Sequence, residues 1–283
     1  MSAFIFDATA VCASRNITPS MNTGIVNQGS PRSPINTSLS TLSMVMSGSQ
    51  QVNIFTHTSE PAPMGIADYG IGPNGAYQYN TSSFLGVATI SSLSTRTLSN
   101  DSSMTFQLNV ILNFTSNNTQ HVYWIQDFAW IDTSSKEVVF SDNVWNSSVA
   151  LGNMTQSGIT GSGQVVKYPT TGQSYYGYVS SSASPGNEIY LQYPAIITLN
   201  VTCSLNAAGK PTVSFGYEDG FGFVTYDTVT FTTSYPITSF SGFVVSGYSY
   251  NPTGYLFYDA ELVLTGAWNG ANTTLLQSNV GLQ

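Results

Sequence analysis

Apolar and polar residues alternate with a period of two through most of the chain beyond residue 58, in runs separated by Gly, Asn, Ser and Pro. Successive side chains of a strand point to opposite faces, so such runs predict half-buried β-strands. They fall at 84–93, 104–115, 121–131, 137–144, 163–168, 188–203, 211–217, 223–233, 240–249 and 255–265. No window holds the 3.6-residue periodicity of an amphipathic helix over three turns, and the helix formers Glu, Lys and Ala are scarce. The pattern predicts an all-β protein: an antiparallel β-sandwich, in one domain or two subdomains, with few or no helices. The absence of a strict repeat of 20–50 residues disfavours a propeller or solenoid.

Residues 1–57 differ. Ser, Asn, Thr and Pro dominate there without sustained periodicity, apart from short strands expected around 41–47 and 50–56. This stretch reads as an extended lead-in and a candidate pro-segment, followed by a β domain over 58–283. Met1–Ala13 has Asp7 in its middle and no basic residue before it, which makes a poor signal peptide.

Composition narrows the function classes. Charged residues make up 7% of the chain, with 6 Lys+Arg against 14 Asp+Glu, where about a quarter is usual. A formal charge of −8 without any basic cluster excludes nucleic acid as a partner, since phosphate is held by Lys and Arg. The longest apolar stretches, such as 189–198, fall short of the ~18–20 residues of a membrane-spanning helix, so no membrane span is expected. In strong acid the basic groups sum to only about +9. Self-repulsion therefore stays small, which points to an acidic medium. Sequons are dense, Asn80, Asn113, Asn146 and Asn200 among them, and suggest an exported, glycosylated chain. Cys12 and Cys203 either pair in an oxidising compartment or pack as small hydrophobes.

Candidate chemistry is found by elimination. His57 and His121 are the only histidines, neither lies near a GxSxG turn, and no HExxH pattern occurs. A serine triad and a zinc site are thus disfavoured, and neither metal nor cofactor is expected. The glycine-rich GYEDGFGF at 216–223 lacks the lysine and helix of a phosphate loop and reads as a hairpin turn. Carboxylates remain. Asp127 in VYWIQDFAWI, Asp142 in VVFSDNVWN, and Asp259 with Glu261 in YLFYDAELVL sit inside otherwise apolar strands, where acids are seldom placed without a reason. Asp101, Asp132, Asp219 and Asp227 stand beside turn residues and read as structural, while Asp68 after a Pro/Gly turn stays open.

Alternation assigns faces as well. Trp124, Gln126, Phe128 and Trp130 share one face, and Tyr123, Ile125, Asp127, Ala129 and Ile131 the other, so Gln126 and Asp127 point apart. Two carboxyls that share a proton supply both an ionised group to activate water and a protonated one to donate. Residues i and i+2 of a strand lie about 6.5–7 Å apart at Cα, whereas cross-strand partners approach to about 4.5–5.5 Å. A dyad is therefore more easily built across strands, pairing Asp259 or Glu261 with Asp127 or Asp142. A Gln126/Glu261 dyad, with Trp124 and Trp130 gripping an extended substrate, is the alternative.

The segments EPAPMGIADYGIG (60–72), FLGVATISSL (84–93), FQLNVILNF (106–114), VYWIQDFAWI (122–131), VVFSDNVWN (138–146), ITGSGQV (159–165) and YLFYDAELVLTGAWNGA (255–271) resemble, in this order, those of the archaeal thermopsin family. The resemblance implies a secreted, thermostable endopeptidase of hot acid, grouped with aspartic peptidases through pepstatin sensitivity and acting on polypeptide substrates. It implies no particular dyad. The chain has no Asp-Thr-Gly or Asp-Ser-Gly triplet, so it departs from the pepsin-type bilobed enzymes. Composition alone also suits a non-catalytic extracellular β-sandwich, either a surface-structural subunit or a glycan-binding protein with aromatic platforms.

Overall fold

A computed structural model describes residues 63–97, 103–148, 153–167, 172–219, 221–247, 260–266 and 273–283. The strands are, in chain order, β1 (Pro63–Asp68), β2 (Ile71–Gly72), β3 (Gly75–Ala76), β4 (Gln78–Thr81), β5 (Ser83–Thr97), β6 (Ser103–Ser116), β7 (Thr119–Asp132), β8 (Glu137–Asn146) and β9 (Ile159–Thr160). There follow β10 (Gln164–Lys167), β11 (Ser174–Val179), β12 (Ile189–Tyr190), β13 (Ala195–Leu205), β14 (Pro211–Glu218), β15 (Phe223–Phe231), β16 (Ile237–Ser246), β17 (Ala260–Gly266) and β18 (Thr273–Leu282). Among the described residues the helical segments are two 3₁₀ turns, Gln156–Gly158 and Ser181–Ala183.

The strands build two main antiparallel sheets, as the alternation predicts, and β2 and β3 pair as a separate hairpin. The larger runs β1-β17-β6-β7-β8-β11-β10, with β12 on β8, β16 on β6 and β4 on β16; the smaller runs β18-β5-β13-β14-β15-β9. One apolar cluster draws on both: Phe106, Leu108 and Ile125 from the larger sheet meet Leu199, Phe215 and Phe231 from the smaller. This is the packing of a sandwich, two sheets joined by their inward residues. β6 is buried on both faces, which is why FQLNVILNF breaks strict alternation.

The expected boundaries shift where side chains alone mislead. The run 188–203 divides into β12 and β13 around Pro194, a residue with no N–H to give to a ladder. β11, with Gly177 in its middle, and the polar edge strand β18 lie outside the expected runs. The lead-in at 1–57, its two expected strands, Cys12 and Asp259 lie outside the described residues. Cys203 is buried, and burial pushes its thiol up to about 12. No helix among the described residues is long and apolar enough to cross a membrane.

Candidate active site

β7 and β8 pair in a register that sets Asp127 directly opposite Asp142. Both belong to the inward phase, with Ile125 and Ala129 on β7 and Phe140 and Val144 on β8 in the shared core. The third acid comes from the facing sheet. In β14–β15, Phe215 pairs with Asp227 and Gly216 with Thr225, so Tyr226 is the extra residue of a β-bulge. The bulge resets the phase of the strand and turns both Tyr226 and Asp227 inward, toward Asp127 and Asp142. The three carboxyls are 0, 0 and 3% exposed for Asp127, Asp142 and Asp227.

Their partners are unequal. Asp227 receives three hydrogen bonds: Oδ1 accepts from the N–H of Ser162 at 2.9 Å and of Thr228 at 2.8 Å, and Oδ2 accepts from Tyr176 Oη at 2.6 Å. Neither oxygen of Asp142 receives a donor. Its side chain nevertheless contacts that of Asp227, and two acceptors in contact form a hydrogen bond only when a proton lies between them. Burial first, then the charges of Asp227 and Asp127, hold the Asp142 carboxyl well above the usual carboxylate range. Burial also raises Asp127, opposed by Tyr226 and by the N–H groups of Asn200, Gly216 and Phe128. The cluster thus sets Asp142, which burial biases toward its protonated form, beside Asp227, whose oxygens take three donors, an asymmetry suited to acid–base chemistry.

The segment Gly161–Gly163 closes this end of the sandwich, crossing from β9 at the edge of the smaller sheet to β10 at the edge of the larger. It is bonded to the site, since Ser162 N–H donates to Asp227 and Gly163 N–H donates to Tyr176 Oη at 2.6 Å. Glycine is required by space: a Cβ at Gly161 would stand 2.3 Å from Tyr176 Oη, and one at Gly163 2.2 Å from the carbonyl oxygen of Gly177. Half-buried Tyr178 and Tyr217 flank the cluster, Tyr217 stacked on Phe140 at 3.8 Å between ring centroids.

The opposite face of the larger sheet holds a separate polar row. Asp68, Glu261, Asn109, Gln126 and Asn143 lie in register across β1, β17, β6, β7 and β8. Hydrogen bonds run along it in one direction: Trp145 Nε1 donates to Gln126 Oε1 at 2.8 Å, Gln126 Nε2 to Asn109 Oδ1 at 3.2 Å, and Asn109 Nδ2 to Glu261 Oε1 at 3.1 Å. Glu261 is buried, whereas Asp68 at the end of the row is exposed. Trp124 packs beside this row with Ile111, Val122, Trp145 and Tyr175, and the half-buried Trp130 shares its face.

The structure therefore brings Asp127 and Asp142 together and sets Glu261 on the other side of the sheet from both. Gln126 and Glu261 share a face but are separated by β6, about 9.5 Å for two strand spacings, and Asn109 fills the interval. Asp227, read from the sequence as a turn residue, is the member that the reading missed. Its signal was present: apolar residues occupy positions 224 and 226, then 229 and 231, and this change of phase in FVTYDTVTF marks a bulge. Among the sequons, Asn80 is exposed, Asn146 and Asn200 are half-buried, and Asn113 on central β6 is buried.

Comparisons with known proteins agree on one family. The family model described as Thermopsin matches residues 50–283. A curated protein named Thermopsin, from Sulfolobus acidocaldarius, is 33% identical over 241 residues, a match covering 80% of this chain and 68% of that relative. No solved structure matches the chain.

Proposed function

Because this chain belongs to the thermopsin family, we propose that it is a secreted endopeptidase that cleaves unfolded polypeptides in hot acid with a pair of carboxyls, Asp142 and Asp227. One observation carries this reading: no donor reaches either oxygen of Asp142, while three converge on the neighbouring Asp227. The Asp227 carboxylate takes a proton from the attacking water as its oxygen bonds to the substrate carbonyl carbon. Asp142 gives its proton to the carbonyl oxygen. Collapse of the tetrahedral adduct returns that proton to Asp142 and breaks the C–N bond, the departing nitrogen taking the proton held by Asp227. Activity falls as rising pH removes the proton that burial holds on Asp142. Access requires the Gly161–Gly163 crossing to lift, which releases Ser162 N–H from Asp227.

The outer row supports a second reading, because exposed Asp68 stands directly opposite Glu261 at one end of that row. In it Glu261 activates water and Gln126 steadies the oxyanion. Asn109, standing between the two, weighs against it. Near-full activity in Gln126→Ala removes this scheme. The test of the main reading is hydrolysis of denatured haemoglobin by the purified chain from pH 2 to 7 at high temperature, with and without pepstatin. Cleavage limited to acid supports it. A folded chain that cleaves nothing contradicts it and favours a surface-structural or glycan-binding role.

A further inference from the structure

Asp127 has no task in that pair, although it is as fully buried as Asp142. Its Oδ1 lies 2.6 Å from Tyr226 Oη, and the same hydroxyl lies 2.7 Å from the carbonyl oxygen of Ser141. Two oxygen–oxygen contacts this short need two hydrogens. The tyrosine hydroxyl has one, the Ser141 carbonyl has none, and so the second belongs to Asp127. Tyr226 then donates to Ser141 O, and Asp127 donates to Tyr226 Oη. Ser141 O belongs to the peptide unit that leads into Asp142, so the relay ends on the backbone that carries the proton donor of the proposed pair. Burial of Asp127 between the sheets favours the same neutral form.

We propose that Asp127 is a positioning residue, a neutral acid that donates through Tyr226 to the peptide of Ser141–Asp142 and so holds Asp142 against Asp227. This rests on the assignment of Asp142 and Asp227 as the pair. On it, the β15 bulge serves to aim two neighbouring side chains at once: Asp227 to the chemistry and Tyr226 to the strand that bears its partner. The role of Asp127 asks only for a hydrogen-bond donor of carboxyl shape, and an asparagine amide supplies one.

The experiment compares Asp127→Asn, Asp127→Ala, Tyr226→Phe, Asp142→Asn and Asp227→Asn in the full chain, with kcat and KM on an unfolded protein substrate and a thermal melt for each. Asp127→Asn is expected to keep kcat within about threefold of the parent, its amide replacing the acid as donor to Tyr226. Asp127→Ala and Tyr226→Phe are expected to lower kcat about tenfold to a hundredfold with KM little changed, as a displaced catalytic group does. An Asp127→Asn variant that folds and is as inactive as Asp142→Asn overturns the proposal, because an ionisable Asp127 is then needed. If instead Asp142→Asn and Asp227→Asn both stay active, the assignment of the pair fails, whatever Asp127→Asn does.

Discussion

The two faces of the larger sheet hold similar polar residues in different states of satisfaction. On the outer face the amides of Gln126 and Asn109 give and receive in turn, so acceptor meets donor from Trp145 to Glu261, while Asn143 at the end of the row keeps its Nδ2 unpartnered. On the inner face, one residue away along β7 and β8, Asp142 has no donor and shares its space with two other acids. The partners of those acids are hydroxyls and N–H groups. A satisfied buried row stiffens a sheet. A cluster of carboxyls without a cation is costly whenever it ionises, and structures retain such arrangements where the perturbed groups have work to do. On the proposed reading, the contrast separates a structural polar belt from a chemical one within a single sheet.

The most damaging way to test that division is Asp227→Asn. It is expected to lower kcat/KM by about a thousandfold or more, the range lost with an acid–base group, in a chain whose melt shows it folded.

A second test uses stability against pH. Asp127 and Asp142 have folded pKa values raised by burial, so their protons favour the folded state. That stabilisation is fully present below the unfolded carboxylate value, near 4, and is lost as pH rises toward the folded values, at about 1.4 kcal/mol per pH unit for each retained proton. Thermal melts from pH 3 to 7 should therefore show a falling midpoint, and Asp142→Asn should flatten the slope. A midpoint that rises with pH would deny that these acids are buried as neutral groups.

Gly163→Ala sharpens the comparison at the mouth of the inner site. Its new methyl meets the carbonyl of Gly177, so about 1–3 kcal/mol of stability and part of the activity should be lost together. The mildest effect on catalysis is expected on the outer face. Asn109→Leu strands Gln126 Nε2 and Glu261 Oε1, at a cost of about 1–3 kcal/mol in a denaturant titration, while kcat/KM stays within a few-fold of the parent. A large fall in kcat/KM there would return the chemistry to the outer row.

Much of the fold could be read directly from alternation, because period-two patterning sets faces wherever one side of a strand is buried. β7 shows this: Asp127 was assigned to the face opposite Gln126, and the structure divides them in that way. Alternation gives faces but not neighbours, so nothing in YLFYDAELVL told which side of the sandwich Glu261 would join. That depended on β17 entering between β1 and β6. Asp227 was hidden for a different reason. A bulge breaks the periodicity on which strand reading relies, and Gly220 and Gly222 nearby made the residue look like part of a turn. The ITGSGQV segment resembled a family motif without a physical account until its glycines were seen pressed against Tyr176 and Gly177.

The most direct test of the division is to measure acid cleavage of one unfolded protein by two isosteric variants, Asp142→Asn and Glu261→Gln, side by side, after confirming that both are folded at the assay pH. The account predicts that Asp142→Asn is inactive and that Glu261→Gln stays within about tenfold of the parent, short of the 10²–10⁴-fold loss of a general acid or base. An active Asp142→Asn beside an inactive Glu261→Gln would contradict it and place the chemistry on the outer face.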